Sequence, residues 1–418
     1  MKRVVLVAPQ FPPCNLAAVH RNRFLAVHLP KFGWRPHVLT VDPSYYEESL
    51  DWELARLVPP SVRVTRTRAL PTRPIRPVGD VSIRALPWLF AALDRIVRAE
   101  RPDLVCLSIP PNYSAILGPL VRLRHGIPYV VDYQDPWNHP WPGCQVRFSK
   151  AWWAYQIGRG LERPVLRYAS LLTGAGAGYY AHALERAPWL DARHCVAAPI
   201  GAEASDFQFL DDHPRPPTLF DHADGARHVV YAGALLPRAF STLEALFAAL
   251  RLNQDQPRLR MHFIGTGGAV RRYADRCGMR DRVFEHPARI PYLDVLNHLK
   301  HAHAVLVMGS DEPHYTPSKV FQAVLARRPV VGLLHGESSG ATILRQANAG
   351  PLVTFNAQRP ASTRVADIAE ALSCATQGAT YSPEQVNWGA FAGYSAEAMT
   401  RQLASGFDAA LEARAARC

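Results

Sequence analysis

Short, uninterrupted apolar runs recur along the chain, and the gaps between them are long enough for a helix. This alternation constrains the fold more than any other feature. A strand covered by helices on both faces reads as a continuous run of Val, Ile and Leu, and strand–helix repetition marks parallel sheets. Such runs occupy residues 4–8, 37–41, 62–65, 104–108, 129–132, 171–173 and 195–197, with helical patterns at 21–31, 88–100 and 149–168. The alternation stops over 201–227, where Pro214, Pro216, Pro217 and several acidic residues follow no sustained period, so this stretch reads as an interdomain linker. It resumes with strand patterns at 228–232, 260–264, 283–286, 304–308, 329–334 and 351–354, and helical ones at 242–250, 292–301, 318–326 and 363–375. The expectation is an α/β chain of two doubly wound, Rossmann-like domains, 1–200 and 228–390, with a final segment, 391–418, whose helix packs back on the first domain.

Composition removes other classes. With 48% hydrophobic and 20% charged residues in 418, the chain is globular, not disordered, collagenous or coiled-coil. The opening MKRVVLVAPQFPP has an apolar run that ends at Pro9, too short for a signal peptide, and no long uncharged window reads as a membrane span. Seven scattered cysteines without CxxC spacing argue against a disulfide framework or a zinc site, and fit a reducing cytoplasm. Residues 1–200 carry 25 Lys and Arg against 14 Asp and Glu, while 201–418 carry 22 against 21. Either the first half faces an anionic partner, or the chain simply favours Arg, since only five of 47 basic residues are Lys.

In open parallel sheets ligands bind at the carboxyl ends of strands, so the loops there are the places to look. The first loop, 9–18, lacks GxGxxG and is stiffened by Pro12 and Pro13, which disfavours a dinucleotide. It leads into a helix carrying Arg21, an acceptor-side candidate for holding a phosphate. The segment YVVDYQDPWNHPW, 129–141, sets Asp132, Asp135 and His139 just past a strand. Asp135 is the candidate general base and His139 the reserve; the alternative is that Asp135 caps a turn before Pro136. Their spacing matches no strong metal motif. In YAGALLPRAF, Gly233 allows close approach to the backbone and Arg238 offers a phosphate grip. HFIGTGG repeats the pattern at Gly265, where a tight turn serves equally well. In DEPHYTPSKVFQAVLARRPVVGLL, Ser318 and Lys319 open a helix as an anion site, unless Lys319 is merely a solvated helix-end residue.

With these motifs in order along essentially the whole chain, the sequence resembles glycosyltransferases of the GT-B fold in the broad family-four group. FPPCNLAAVHRNRFLAVHLPKFGWRPHVLTV is similar to that group's first loop, helix and second strand, VVDYQDPW to a "DFRDPW" stretch, and YTPSKVFQAVLARRPVVGLL to its donor-site helix. The resemblance implies a cleft between the domains that holds a UDP- or GDP-linked sugar mainly against the second. Arg238 and Lys319 would grip the diphosphate, Ser318 and Gly233 would donate N–H groups, and Arg289 and Ile290 would flank the base. Asp135 or His139 would face the acceptor hydroxyl, and no metal or other cofactor is implied. The chain departs from the group where two Glu eight positions apart are replaced by His314 and Gln322, and where a glycine pair is replaced by Leu16 and Ala17.

The function expected is sugar transfer from a nucleotide-sugar to an acceptor hydroxyl, in the biosynthesis of a surface or exported polysaccharide or glycolipid. The acceptor would be a glycan or lipid-linked intermediate. The basic first half and the Trp-rich stretch 147–169 suggest peripheral contact with an anionic membrane at its inner face. The alternatives are a non-catalytic scaffold or sugar-nucleotide sensor, favoured by the changes at His314 and Gln322, and a sugar-nucleotide epimerase, for which no convincing carboxylate pair is found. No motif for specific nucleic-acid reading is present.

Overall fold

The computed structural model describes residues 1–418 except 75, 77, 139, 141, 236, 254–258, 314–317, 378–380 and 416–418. The chain divides into two units. One is Met1–Gly201 with Ala396–Cys418, and the other is Ala202–Ser395.

The first unit holds the strands β1 (Lys2–Val7), β2 (Trp34–Val41), β3 (Arg63–Thr67), β4 (Leu104–Ile109), β5 (Tyr129–Tyr133), β6 (Leu171–Gly174) and β7 (Cys195–Ala197). The second holds β8 (Arg227–Ala232), β9 (Leu259–Ile264), β10 (Val283–His286), β11 (Ala304–Met308), β12 (Val330–His335) and β13 (Leu352–Phe355). The sheet orders are β3-β2-β1-β4-β5-β6-β7 and β10-β9-β8-β11-β12-β13, with every pairing parallel. Each apolar run of the sequence carries a strand, because a central parallel strand must be apolar on both faces to be covered by helices. The two orders have the same form, with the winding direction reversing at β1/β4 in one sheet and β8/β11 in the other.

The C-terminal helix, Ala396–Ala415, is built into the first unit. Phe407 lies edge-on to Trp34, with ring centroids 5.6 Å apart, and the Trp34 indole N–H donates to Asp408 at 3.0 Å. Gly406 lets this helix approach Leu171 and Val196, both of which lie 3.0 Å from where a Cβ would be.

The stretch 201–227, expected as a linker, contains the helix Ala204–Asp212 and lies almost wholly in the second unit. Asp206 on this helix is buried and accepts the Tyr292 hydroxyl at 2.9 Å. Only Phe207 and Leu210 form its buried apolar face, too few positions for a helical period to be read above the prolines that follow.

Around Phe220 the second unit buries three neutral histidines, His228, His262 and His298, with His303 half-buried beside His228. His228 Nδ1 and His262 Nε2 are 3.0 Å apart, so one must donate and the other accept. His298 Nε2 accepts the N–H groups of Thr218 and Leu219 at 3.1 and 3.2 Å, and His303 Nδ1 accepts the His228 N–H at 3.0 Å. Each of these bonds needs an imidazole lone pair, which protonation removes. Burial, reinforced by neighbouring positive charge, pushes His262 down to about 3 and His303 to about 4. The folded state therefore binds fewer protons than the unfolded chain, whose histidines titrate near 6.5. The stabilisation is complete above that value and is lost as pH falls from there toward about 3, at up to about 1.4 kcal/mol per pH unit for a fully buried histidine. Urea unfolding followed from pH 7 to pH 5 is expected to show a falling midpoint, and His262→Phe, stacked on Phe284, is expected to flatten that dependence.

Candidate active site

In the second sheet β8 and β11 are neighbours whose crossovers leave in opposite directions, which opens a crevice at their carboxyl ends. Gly233 follows β8 with φ +151°, a conformation that favours glycine. A Cβ there would lie 3.4 Å from Lys319 Cγ, so the two loops meet at this point. Lys319 begins the helix Lys319–Leu325 after β11. Its ammonium is held below the ordinary lysine value by burial and, secondarily, by the positive charge of Arg289 from the loop after β10. A lysine in these surroundings gains from an anion that supplies the missing countercharge. Ser318 precedes it as the helix cap, and its hydroxyl caps no backbone N–H. One turn on, Gln322 is buried and its Oε1 has no hydrogen-bond partner among the described residues. Ile290, half-buried, lies next to Arg289.

In the donor loops Gly233 and Arg238 already have partners. The Gly233 N–H donates to the Ile264 carbonyl at 2.9 Å, so the sheet already uses the donor that the resemblance assigned to a phosphate. Arg238 is exposed and its guanidinium meets Glu312 at 2.5 Å. An exposed pair of this kind contributes only about 0.2–1 kcal/mol, so a phosphate can take the place of Glu312. His314 lies outside the described residues.

Gly265 belongs to a different arrangement. Its N–H donates to His286 O at 2.8 Å, and the turn after it closes around Glu285. That carboxylate accepts the N–H groups of Gly268 at 2.9 Å, Val270 at 3.3 Å and Arg271 at 2.6 Å, together with the Thr266 hydroxyl. The place where GTGG would hold a phosphate is filled by the protein's own anion, so Gly265 serves the turn and not a donor phosphate.

In the first unit Arg21 is a buried structural residue, not an acceptor contact. It and Asp132 have fully buried side chains. Arg21 Nε and Nη2 reach the Asp132 carboxylate at 2.9 Å, and Nη1 donates to Ala198 O at 2.6 Å. The Thr173 hydroxyl donates to the same carboxylate at 2.6 Å. The pair thus ties the first helix to β5, β6 and the turn after β7. Arg21→Met leaves the Asp132 charge uncompensated and is expected to lower unfolding stability by roughly 3–5 kcal/mol, measured by chemical denaturation.

Asp135 has an exposed edge just beyond β5, yet the surrounding protein withholds enough water to raise its carboxyl above the ordinary Asp value. Beside it in sequence, Gln134 is buried with neither side-chain polar atom partnered among the described residues. The motif reading passed over this residue; its position between two acids at a strand end was the available signal. Glu312 was passed over as well, because pairing with Arg238 across 74 positions is invisible to local spacing. His139 lies outside the described residues. Among the described residues no group of three His, Cys, Asp or Glu side chains is placed to hold a metal ion.

Residues 18–201 match the model of the glycosyl transferase 4-like domain. The fold of the whole chain is shared with HepE of Anabaena, solved with UDP and glucose, which is 14% identical with a TM-score of 0.61, the match covering 98% of this chain and 100% of that one. It is shared equally with sucrose-phosphate synthase of Thermosynechococcus elongatus, 17% identical with a TM-score of 0.61 and 100% of both chains covered. A glycosyltransferase of Rickettsia africae is 11% identical with a TM-score of 0.55, covering 99% of this chain and 97% of its own. No curated protein sequence matches the chain. The fold is GT-B and the class is glycosyltransferase.

Proposed function

We propose that the chain transfers a sugar from a nucleotide-sugar, with UDP as the first candidate carrier, to an acceptor hydroxyl. The observation that carries this reading is the meeting of Lys319 with Gly233 at the carboxyl edge of the second sheet, with the charge of Arg289 acting on the same ammonium and the Gln322 Oε1, one turn along the helix, without a partner among the described residues. Lys319, with Arg238 released from Glu312, would neutralise the diphosphate as the bond from the anomeric carbon to phosphate oxygen breaks and the electron pair leaves with the nucleotide. No metal is required by this account. The Gln322 carbonyl suits a ribose hydroxyl, which would satisfy a buried acceptor that otherwise costs about 1–3 kcal/mol. HepE, solved with UDP and glucose, supports the choice of donor. Isothermal titration is expected to show UDP binding that Lys319→Ala weakens about ten- to hundredfold, the loss of one charge-assisted hydrogen bond of about 1.5–3 kcal/mol. A folded protein that binds neither UDP nor GDP overturns the reading.

Asp135 is proposed as the base that takes the acceptor proton, with the Gln134 amide bonding a neighbouring hydroxyl. The base must be ionised, so turnover is expected to fall as pH drops through its raised carboxyl value. Asp135→Asn should remove that limb of the pH profile and about 10²–10⁴-fold of the rate.

The acceptor is proposed to be a lipid-linked glycan intermediate, met at an anionic membrane surface, in the assembly of a surface polysaccharide or glycolipid. The stretch ahead of and within the helix Lys150–Tyr168 supports this. Phe148, 64% exposed and held at φ +64°, clusters with Trp152 at 5.3 Å, and Trp153 is half exposed beside them. Lys150, Arg159 and Arg163 are exposed along the helix, while its one acid, Glu162, is buried on Tyr133, Asn138 and Arg186. Aromatic rings among outward cations suit a headgroup region. Among the described residues no helix is long and apolar enough to cross a membrane. Flotation with vesicles containing phosphatidylglycerol should carry the protein up at low salt, and a Phe148→Ser, Trp153→Ser double variant should stay down.

A further inference from the structure

The first unit has a second concave site away from the carboxyl ends of its strands. It sits at the amino-terminal end of β6, where Ser170 leads into the strand, and encloses about 650 Å³, within the range of small-ligand sites. Arg122, Arg167, Tyr168, Trp189, Leu190 and His194 line it, and Ala410 of the C-terminal helix forms part of its wall. No acidic side chain among the described residues lines it. Two guanidinium groups in a partly apolar hollow focus a positive field that no carboxylate within the hollow cancels. The nearest acid in sequence, Asp191, is engaged: it takes Arg193 at 2.7 Å and His194 Nδ1 at 2.9 Å. One N–H of Arg122 donates to Gly126 O at 3.2 Å, which fixes the side chain and leaves its other donors.

The aromatic wall is also fixed. The Trp189 indole N–H donates to Leu166 O at 3.3 Å, at the end of the helix Lys150–Tyr168, while the residue remains 40% exposed. A pinned, half-exposed indole offers a flat apolar face for the C–H side of a sugar ring. The polar groups around it are mostly donors, with the Ser170 and Tyr168 hydroxyls able to accept. That set fits the hydroxyls and anionic group of an acidic sugar better than the edge of a nucleobase, which needs acceptors and donors in a fixed pattern.

We infer that this cavity is a second saccharide site, for a sugar ring bearing a phosphate or a carboxylate, bound by Arg122 and Arg167 with Trp189 against the ring. It stands independently of the donor site and does not rest on it. A free sugar phosphate and an acidic residue of a glycan share this chemistry, and the probes distinguish them. Titration of the full chain with glucose 6-phosphate, glucuronic acid and glucose is expected to show binding of one or both anionic sugars, weakened by salt, and none of glucose. The stronger of the two probes identifies the source. Arg167→Ala and Trp189→Ala should each weaken that binding by roughly tenfold or more, with unfolding midpoints near that of the parent and with UDP failing to displace the sugar. Absence of binding by both anionic sugars, displacement by UDP, or binding that survives both substitutions overturns the inference.

Discussion

A parallel strand covered on both faces can carry almost no chemistry along its length. Its side chains must be apolar to pack and its backbone groups are consumed by its neighbours, so polar function is driven to the strand ends. Both sheets keep to that constraint apart from a few buried polar side chains that the protein satisfies internally, such as Asp132 on Arg21 and His228 on His262. β4, β5, β11 and β12 are buried throughout, and the residues with chemical potential stand just beyond them. Asp135 follows β5, and Lys319 follows the loop from β11. The reversal of winding at β8/β11 then selects, among all the carboxyl-end loops, the pair that meets at Gly233 and Lys319.

Internal carboxylates decide which of these ends stay available to a ligand. Asp132 consumes Arg21, and Glu285 fills the GTGG turn, each satisfying donors that local sequence alone would offer to a phosphate. Glu312 holds Arg238 as well, but at the surface, where the bond is weak enough to exchange. Lys319 is different. Burial and Arg289 both act against its charge, which is the setting on which the proposed donor site rests.

The strand positions were legible because burial on both faces writes itself into composition, and continuous apolar runs marked every strand to within a few residues. Helix Ala204–Asp212 was not legible, since two buried apolar residues beside a proline cluster leave no measurable period. The candidate site was legible in part. Gly233 and Lys319 were singled out by residue type at strand ends, and the structure brings them into contact. Arg21 was singled out on the same grounds and proved to be the partner of an aspartate 111 positions away.

What the sequence alone determined, then, is the succession of strands and helices, the two doubly wound sheets and the set of polar residues at their edges, because these follow from local pattern and from the requirement to bury apolar strands. Only the tertiary structure decided which of those polar residues are satisfied and which are not. That depends on partners brought from distant positions, as with Asp132 on Arg21 and Glu312 on Arg238, whereas the buried Gln134 amide and the Gln322 Oε1 have none among the described residues. Hydrogen bonds and ion pairs act over a few ångströms of space, and their pairing across the chain leaves no periodic trace in the order of residues.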